Sequence, residues 1–520
     1  MGKVGRRWAH VTWTVLLACS DSEADPGALE EAVPDWDGGV EAPDIGAGRD
    51  TGVRSWPSHC VRALGVECEE IEVAYFKPNI PSPEARFGGT VAFERDVIAI
   101  GAPEAGDPAF PYMDRGLVFI FERRSEEEWE WTSTLRPGPE LSDFHLRFGA
   151  ALALDGDTLV VGVPLHGSIG LTFNSPAYGT AVVYRRMAAG DWQEVQTLRA
   201  STGAYFAGFG GALALEGNTL VVGAQGDVEE GYRDGPGVAY VFRRWTKAEA
   251  WEETAQLRPF NGERGDRFGA ALALEGDSLV VSSPGEDSAA TGINGGGWDN
   301  DARQSGAAYV FHRETTGEWR ATHFIKASNT DPGDRFGTSL ALDSGLLVVG
   351  ATGESSAGVG VDGAQRNEQA RGSGAVYVFE RRAHRDWEQV AYIKASNTDA
   401  DDGFGASVHL QDELMAVGAP GEASLGRGVN DLQGDDSGVQ AGAVYLFSRV
   451  DGGTWFQQAY LKASNSAGFD QFGRSVALEG DHLLVGAVGE DGSARGVNGN
   501  RFDDASENSG AAFLHRIRPR

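Results

Sequence analysis

A Phe-Gly dipeptide recurs seven times along the chain, beginning at Phe87, Phe148, Phe209, Phe268, Phe336, Phe404 and Phe472. The period is about sixty to seventy residues, and a chain with such internal repetition is read first as a repeat architecture. Four short runs recur within each copy, and the fifth copy shows them well: FGTSLAL (336–342), LLVVGA (346–351), GAVYVFERR (374–382) and WEQVAYIK (387–394). Each is rich in Val, Leu, Tyr and Phe and bounded by Gly, Asp or Asn, as short strands between tight turns are. With 73 glycines among 520 residues, the composition suits many turns better than it suits helices. The expected fold is all-β, a seven-bladed β-propeller of four-stranded antiparallel blades.

The ends of the repeat region sharpen this. The seventh copy stops after GAAFLHR (510–516) and lacks its fourth run, while a run of that type, EVAYFK (72–77), stands before the first copy. Ala74-Tyr75-Phe76-Lys77 aligns on Ala391-Tyr392-Ile393-Lys394 and Ala459-Tyr460-Leu461-Lys462. A linear solenoid has no reason to split a repeat in this way. A closed ring does, with residues 72–77 completing the last blade, because closure covers the sheet faces and edges that an open array exposes.

The N-terminus reads as an export signal: Lys3, Arg6 and Arg7 are followed by a short apolar stretch from Val11 to Ala18, too short to span a bilayer. Leu16-Leu17-Ala18-Cys19 resembles a bacterial lipobox, which implies acylation of Cys19. The expected organisation is a signal peptide (1–18), a lipidated Cys19 with an acidic disordered tether (19–56), a lead-in (57–71) and the propeller (72–517). Cys60 and Cys68 are either a disulfide or two thiols, since spacing alone does not decide. This places the protein outside the cytoplasm, at the outer membrane or cell surface, as a monomer that touches the membrane through its lipid alone. The formal net charge of −32 argues against nucleic acid as a partner.

Phe-Gly followed some dozen residues later by Gly-Ala-Pro, as in Phe87-Gly88 with Gly101-Ala102-Pro103 and Phe404-Gly405 with Gly418-Ala419-Pro420, resembles the FG-GAP repeat of the integrin alpha-chain propeller and its bacterial relatives. The Gly-Ala-Pro element is degenerate elsewhere, as Gly162-Val163-Pro164 or Ser282-Ser283-Pro284. The resemblance implies a propeller used outside the cytoplasm for binding or adhesion to a protein or matrix ligand, with no enzymatic activity. A lectin-like, carbohydrate-binding propeller and a hydrolase with its site in the central channel are the alternatives.

Integrin-like blades hold calcium in DxDxDG loops between the first two strands, and this chain departs from that pattern. It has Asp155-Gly156-Asp157, Glu216-Gly217-Asn218, Glu275-Gly276-Asp277 and Glu479-Gly480-Asp481. These read as two-residue type II′ hairpins, too poor in oxygens to surround an ion. Calcium remains possible elsewhere. Strand alternation puts these hairpins on one plain face and every long insertion on the other: 284–305, 353–373, 420–441 and 489–509. The candidate ligand or cation face comprises Glu286, Asp287, Asn294, Asp299, Asp301, Asp362, Asp431, Asp435, Asp436, Glu490, Asp491, Asp503 and Asp504. The competing reading is a solvated loop surface whose Asp and Asn serve turns.

A basic residue closes each outer strand (Lys77, Arg136, Arg199, Arg258, Lys326, Lys394, Lys462), and is expected to form exposed local pairs worth at most about 1 kcal/mol. A Trp seven residues earlier in six copies is expected to pack at a hairpin. Arg264-Gly265-Asp266 reads as a repeat variant rather than a recognition tripeptide. No nucleophile, base and orienting group line up in the sequence, and no catalytic residue is assigned.

Overall fold

In the computed structural model the described residues run from 68 to 519, apart from 80, 108–109, 127, 140, 142–145, 165–178, 189, 203–206, 227–234, 248, 384–385 and 450–451. Cys19, Cys60, the signal peptide, the tether and nearly all the lead-in lie outside them, and the Cys68 side chain is not described.

Seven antiparallel sheets form a ring, each built as the repeat predicts. From the channel outward, blade one comprises Thr90–Glu94, Val97–Ala102, Leu117–Arg123 and Trp129–Leu135. Blade five comprises Phe336–Asp343, Leu346–Ala351, Ala375–Arg381 and Trp387–Ile393. The second strand of every blade is buried along its whole length, because neighbouring blades cover both of its faces. The core is therefore a series of inter-blade layers. One joins Val348, Val376 and Val378 of blade five to Met415, Val417 and Tyr445 of blade six.

The displaced strand closes the ring. Cys68–Lys77 pairs antiparallel with Ala511–Pro519, with Phe76 opposite Ala512 and Tyr75 opposite Phe513. It begins four residues earlier than the sequence suggests, and a bulge between Glu72 and Ala74 keeps its register.

The dipeptides that mark the repeat sit where blades meet. Each Phe is fully buried. In six of them the backbone N–H donates to the loop of the preceding blade among the described residues, as Phe336 does to the Ser305 carbonyl (2.8 Å) and Phe404 to that of Ser373 (2.9 Å). The glycine after it has φ near +90°, and its carbonyl oxygen lies over the Gly-Ala-Pro glycine of the preceding blade. A Cβ on Gly350 would stand 2.1 Å from the Gly405 oxygen, and one on Gly486 would stand 2.0 Å from that of Gly88. A hydroxyl of the preceding blade satisfies the same carbonyl in four places, including Ser339 to Gly405 (2.7 Å) and Ser475 to Gly88 (2.8 Å). Blade four is the exception, with Ser282 in place of the glycine.

Gly486→Ala is expected to prise blade seven from blade one at a cost of about 2–3 kcal/mol. Gly480→Ala, at a hairpin with φ +58° and open space around it, should cost about 1 kcal/mol. Denaturant unfolding of the two variants measures the difference.

Candidate functional site

On the long-insertion face, blades four to seven share one buried construction. The lysine that closes the outer strand turns inward onto a glutamate at the base of its own blade's long loop. The pairs are Lys326–Glu286 (2.6 Å), Lys394–Glu354 (2.8 Å), Lys462–Glu422 (2.7 Å) and Lys77–Glu490 (2.6 Å). All eight side chains are at most 3% exposed. This corrects the expectation of exposed pairs: the long loop folds down over the lysine and excludes water. Desolvation pulls each lysine below its ordinary pKa, while the facing glutamate pushes it back up. In three blades a serine hydroxyl accepts a further lysine N–H: Ser305, Ser373 and Ser509, each at 2.7 Å.

The second glutamate oxygen is held from the preceding blade. Asn261, Asn329, Asn397 and Asn465, in the crossings between blades, each donate Nδ2 to Oε1 of the next glutamate at 2.9–3.1 Å. The same amide also donates to a loop carbonyl, that of Gly297, Gln365, Gln433 or Arg501. Three of the four asparagine oxygens accept a tyrosine hydroxyl, from Tyr309, Tyr377 and Tyr445. Blade seven has Phe513 in that position, and there the Asn465 oxygen is without a hydrogen-bond partner.

The residues expected to form a ligand rim divide accordingly. Glu286 and Glu490 are interior members of these latches. Asn294 and Asp362 occupy equivalent left-handed positions (φ +57° and +53°) and accept the Phe324 and Tyr392 backbone N–H groups. They tie the loop along the outer strand, and in blades six and seven the loop adds a fifth strand there, Gly428–Val429 and Gly496–Val497. Asp287 and Asp491 accept backbone N–H groups of Gln304 and Asn508, and Asp299 accepts that of Ala289. Asp431 and Asp435 accept those of Arg427 and Ser437, and Asp503 accepts from Ser493 through both backbone and hydroxyl. Asp301, Asp436 and Asp504 point to solvent. Among the described residues, no three His, Cys, Asp or Glu side chains converge in a way that could hold a metal ion.

The FG-GAP repeat family model matches residues 192–242, 251–311, 319–379, 387–447 and 455–515, more than half of the chain. The chain belongs to the FG-GAP repeat family. No curated protein matches it. Each matched segment starts at an outer strand and ends in the third strand of the next blade, so the family's unit straddles the same blade interface that the two glycines seal. An FG-GAP propeller is in general terms a binding or adhesion type of module.

In this FG-GAP ring the plain face is held by its hairpins. Gly156, Gly217, Gly276 and Gly480 have φ of +56° to +62°, as a type II′ turn requires. In blades one to four the acid before the turn reaches the next blade. Glu94 accepts the Gly156 N–H (2.5 Å), Asp155 that of Gly217, Glu216 that of Gly276 (2.6 Å) and Glu275 that of Gly345 (3.1 Å). Nothing in the spacing of these acids announces that role, because the partner lies one whole repeat away. Five of the six hairpin tryptophans are packed as expected, Trp129, Trp192, Trp251, Trp387 and Trp455 being buried, while Trp319 is half-buried.

The central channel encloses about 300 Å³ and is walled by the Val, Leu, Ala and Phe side chains of the first strands. His409 is the titratable residue among those lining it. Burial lowers its pKa to about 4, and Nδ1 accepts the Leu478 N–H at 3.2 Å. Asp266 of the Arg-Gly-Asp sequence is 3% exposed. It caps its own turn by accepting the Glu263 N–H at 2.7 Å, as Asp334, Asp402 and Asp470 do in later crossings.

Two predictions follow from this interior. Removing one latch partner leaves a buried charge, so Lys77→Met is expected to destabilise by about 3–5 kcal/mol, and the double variant with Glu490→Met to recover most of it. Thermal melting of the single and double variants checks this. Burial pushes the carboxyls of Asp266, Asp402 and Asp470 up to about 7 and that of Asp334 to about 8. The folded state therefore binds more protons than the unfolded chain, whose Asp titrates near about 3.9. Stability from these groups is full below about pH 4 and is lost as pH rises through 7 to 8. Asp334→Asn with Asp402→Asn should flatten the fall in melting temperature across that range.

Proposed function

We propose that this propeller is a non-enzymatic binding module of the cell exterior, monomeric, exported by its N-terminal signal and held by a lipid on Cys19. It binds a protein or matrix ligand through the long-loop face of blades four to seven. The observation that carries this reading is one scaffold presenting four different tips. In each of these blades the crossing asparagine grips the carbonyl just before the loop tip, and the tips are Trp298, Arg366, Gly434 and Phe502. A repeated, fully buried latch beneath variable exposed residues lowers the entropy cost of recognition. Trp298 is 76% exposed and Phe502 66%, and Leu432 beside the Gly434 tip and Phe469 of a blade crossing are exposed as well. Aromatic anchors within a polar, acidic surround are the chemistry of protein recognition.

Glycan binding on this face is the second reading. Trp298 stands edge-on to Phe260, with ring centroids 5.3 Å apart, and Phe260 is backed by Phe324. That geometry offers a flat indole to a sugar ring.

The test is a screen of the full chain against immobilised matrix proteins and a glycan array, with calcium and with EDTA. Trp298→Ala and Phe502→Ala are expected to reduce capture by about tenfold or more without moving the melting temperature. Because backbone N–H groups already engage most of the loop carboxylates, calcium and EDTA should give the same melting midpoint. Capture by neither class of ligand would count against the reading.

A further inference from the structure

A groove of about 610 Å³ lies at the outer rim between blades three and four. It is lined by Arg243, Arg313, Arg320, Trp245, Trp319 and Gln256, among others. Three arginines gathered with two tryptophans are unexpected on a chain of net charge −32, and the other blades supply an internal control.

Between blades one and two, Glu122 of the third strand pairs with Arg186 of the next blade at 2.9 Å. Between blades five and six, Glu380 pairs with Arg449 at 3.2 Å. Arg243 occupies the same register position in blade three: it lies opposite Thr219 as Glu122 lies opposite Val97 and Glu380 opposite Leu346. Strand alternation turns Arg243 towards blade four and Arg313, the counterpart of Arg186 and Arg449, towards blade three. An acid–base pair has thus become two facing guanidinium groups, as it has between blades two and three, where Arg185 lies opposite Thr158 and Arg244 is the facing arginine. On the outer strands, Glu252 stays opposite Arg243 as Glu130 and Glu388 stand opposite Glu122 and Glu380, and Arg320 of blade four also lines the groove.

The protein neutralises this charge only in part. Arg313 is anchored by Asp277 (2.7 Å) and by the Thr219 hydroxyl (3.0 Å), and Arg320 meets Glu318 at 3.5 Å. Arg243 forms no ion pair among the described residues, Glu252 across the ladder included, and lies 4.7 Å from the centre of the Trp245 indole. That indole is 64% exposed.

We propose that the groove between blades three and four binds an acidic oligosaccharide, a uronate-bearing chain. Its carboxylate bridges Arg243, Arg313 and Arg320, and the apolar face of a sugar ring lies on Trp245. Planar guanidinium groups match a carboxylate in geometry as well as charge, and indole faces suit the C–H side of a pyranose. The volume falls within the range of small-ligand sites.

The test is calorimetric titration of the full chain with trigalacturonate, its methyl ester and inorganic sulfate. Trigalacturonate is expected to bind saturably, and the uncharged ester about tenfold more weakly or worse. Arg243→Glu recreates the pair that blades one and five make with their neighbours, so it should keep the melting temperature while abolishing trigalacturonate binding. Arg320→Gln should weaken binding without the same reversal of charge. Trp245→Ala should weaken trigalacturonate and leave sulfate unchanged. The proposal is overturned by absence of saturable trigalacturonate binding, by equal binding of the ester, or by full binding in both arginine variants. Sulfate binding as tightly as trigalacturonate, with Trp245→Ala affecting neither, would make the groove a simple anion site and overturn the sugar assignment.

Discussion

The close approach of two glycines across six of the seven blade interfaces is the constraint on which the rest of the ring depends. The carbonyl of the Phe-Gly glycine lies against the Cα of the Gly-Ala-Pro glycine in the preceding blade, where no side chain fits. The first of the two also needs a positive φ. Together they set how near the blades come, and so how completely the second strands lose water on both faces. The buried Phe then fills the layer between the blades, and its N–H ties the new blade to the loop of the old one.

Ring closure uses the same device and adds a second. The Phe87 N–H donates to Ser509, and Gly88 lies against Gly486, so the join between last and first blades resembles every other join. The seventh blade also borrows its outer strand from the N-terminal side, and the Lys77–Glu490 pair locks that strand beneath a loop more than four hundred residues away. A buried ion pair contributes little net stability against an apolar alternative, but breaking it is costly. Its value here is positional: it specifies which strand enters and how deeply. The same latch in blades four to six holds loop tips in place, so one device serves both closure and display.

The repeat in the sequence revealed the blades because a strand's period and turn residues are local properties. The displaced EVAYFK run located the closing strand for the same reason. Less was legible at the sites. The sequence places Glu286 and Glu490 in an acidic rim, yet both are interior, since burial depends on the loop above them folding down. The terminal lysines carried a signal that could have corrected this: in copies four to six Lys326, Lys394 and Lys462 each stand forty residues after a glutamate that follows a glycine. The hairpin acids Glu94, Asp155, Glu216 and Glu275 gave no such signal, their partners being backbone N–H groups one repeat away.

Turn length alone makes the hairpin face look plain and hides the change from Glu122 and Glu380 to Arg243. The sequence by itself determined the strands, their number and order, and the split repeat, because hydrophobic alternation and glycine placement act over a few residues. Tertiary structure alone decided which charges are buried, which acids bridge blades and which arginines face one another. Those outcomes depend on the distance and rotation between blades, which no single repeat encodes.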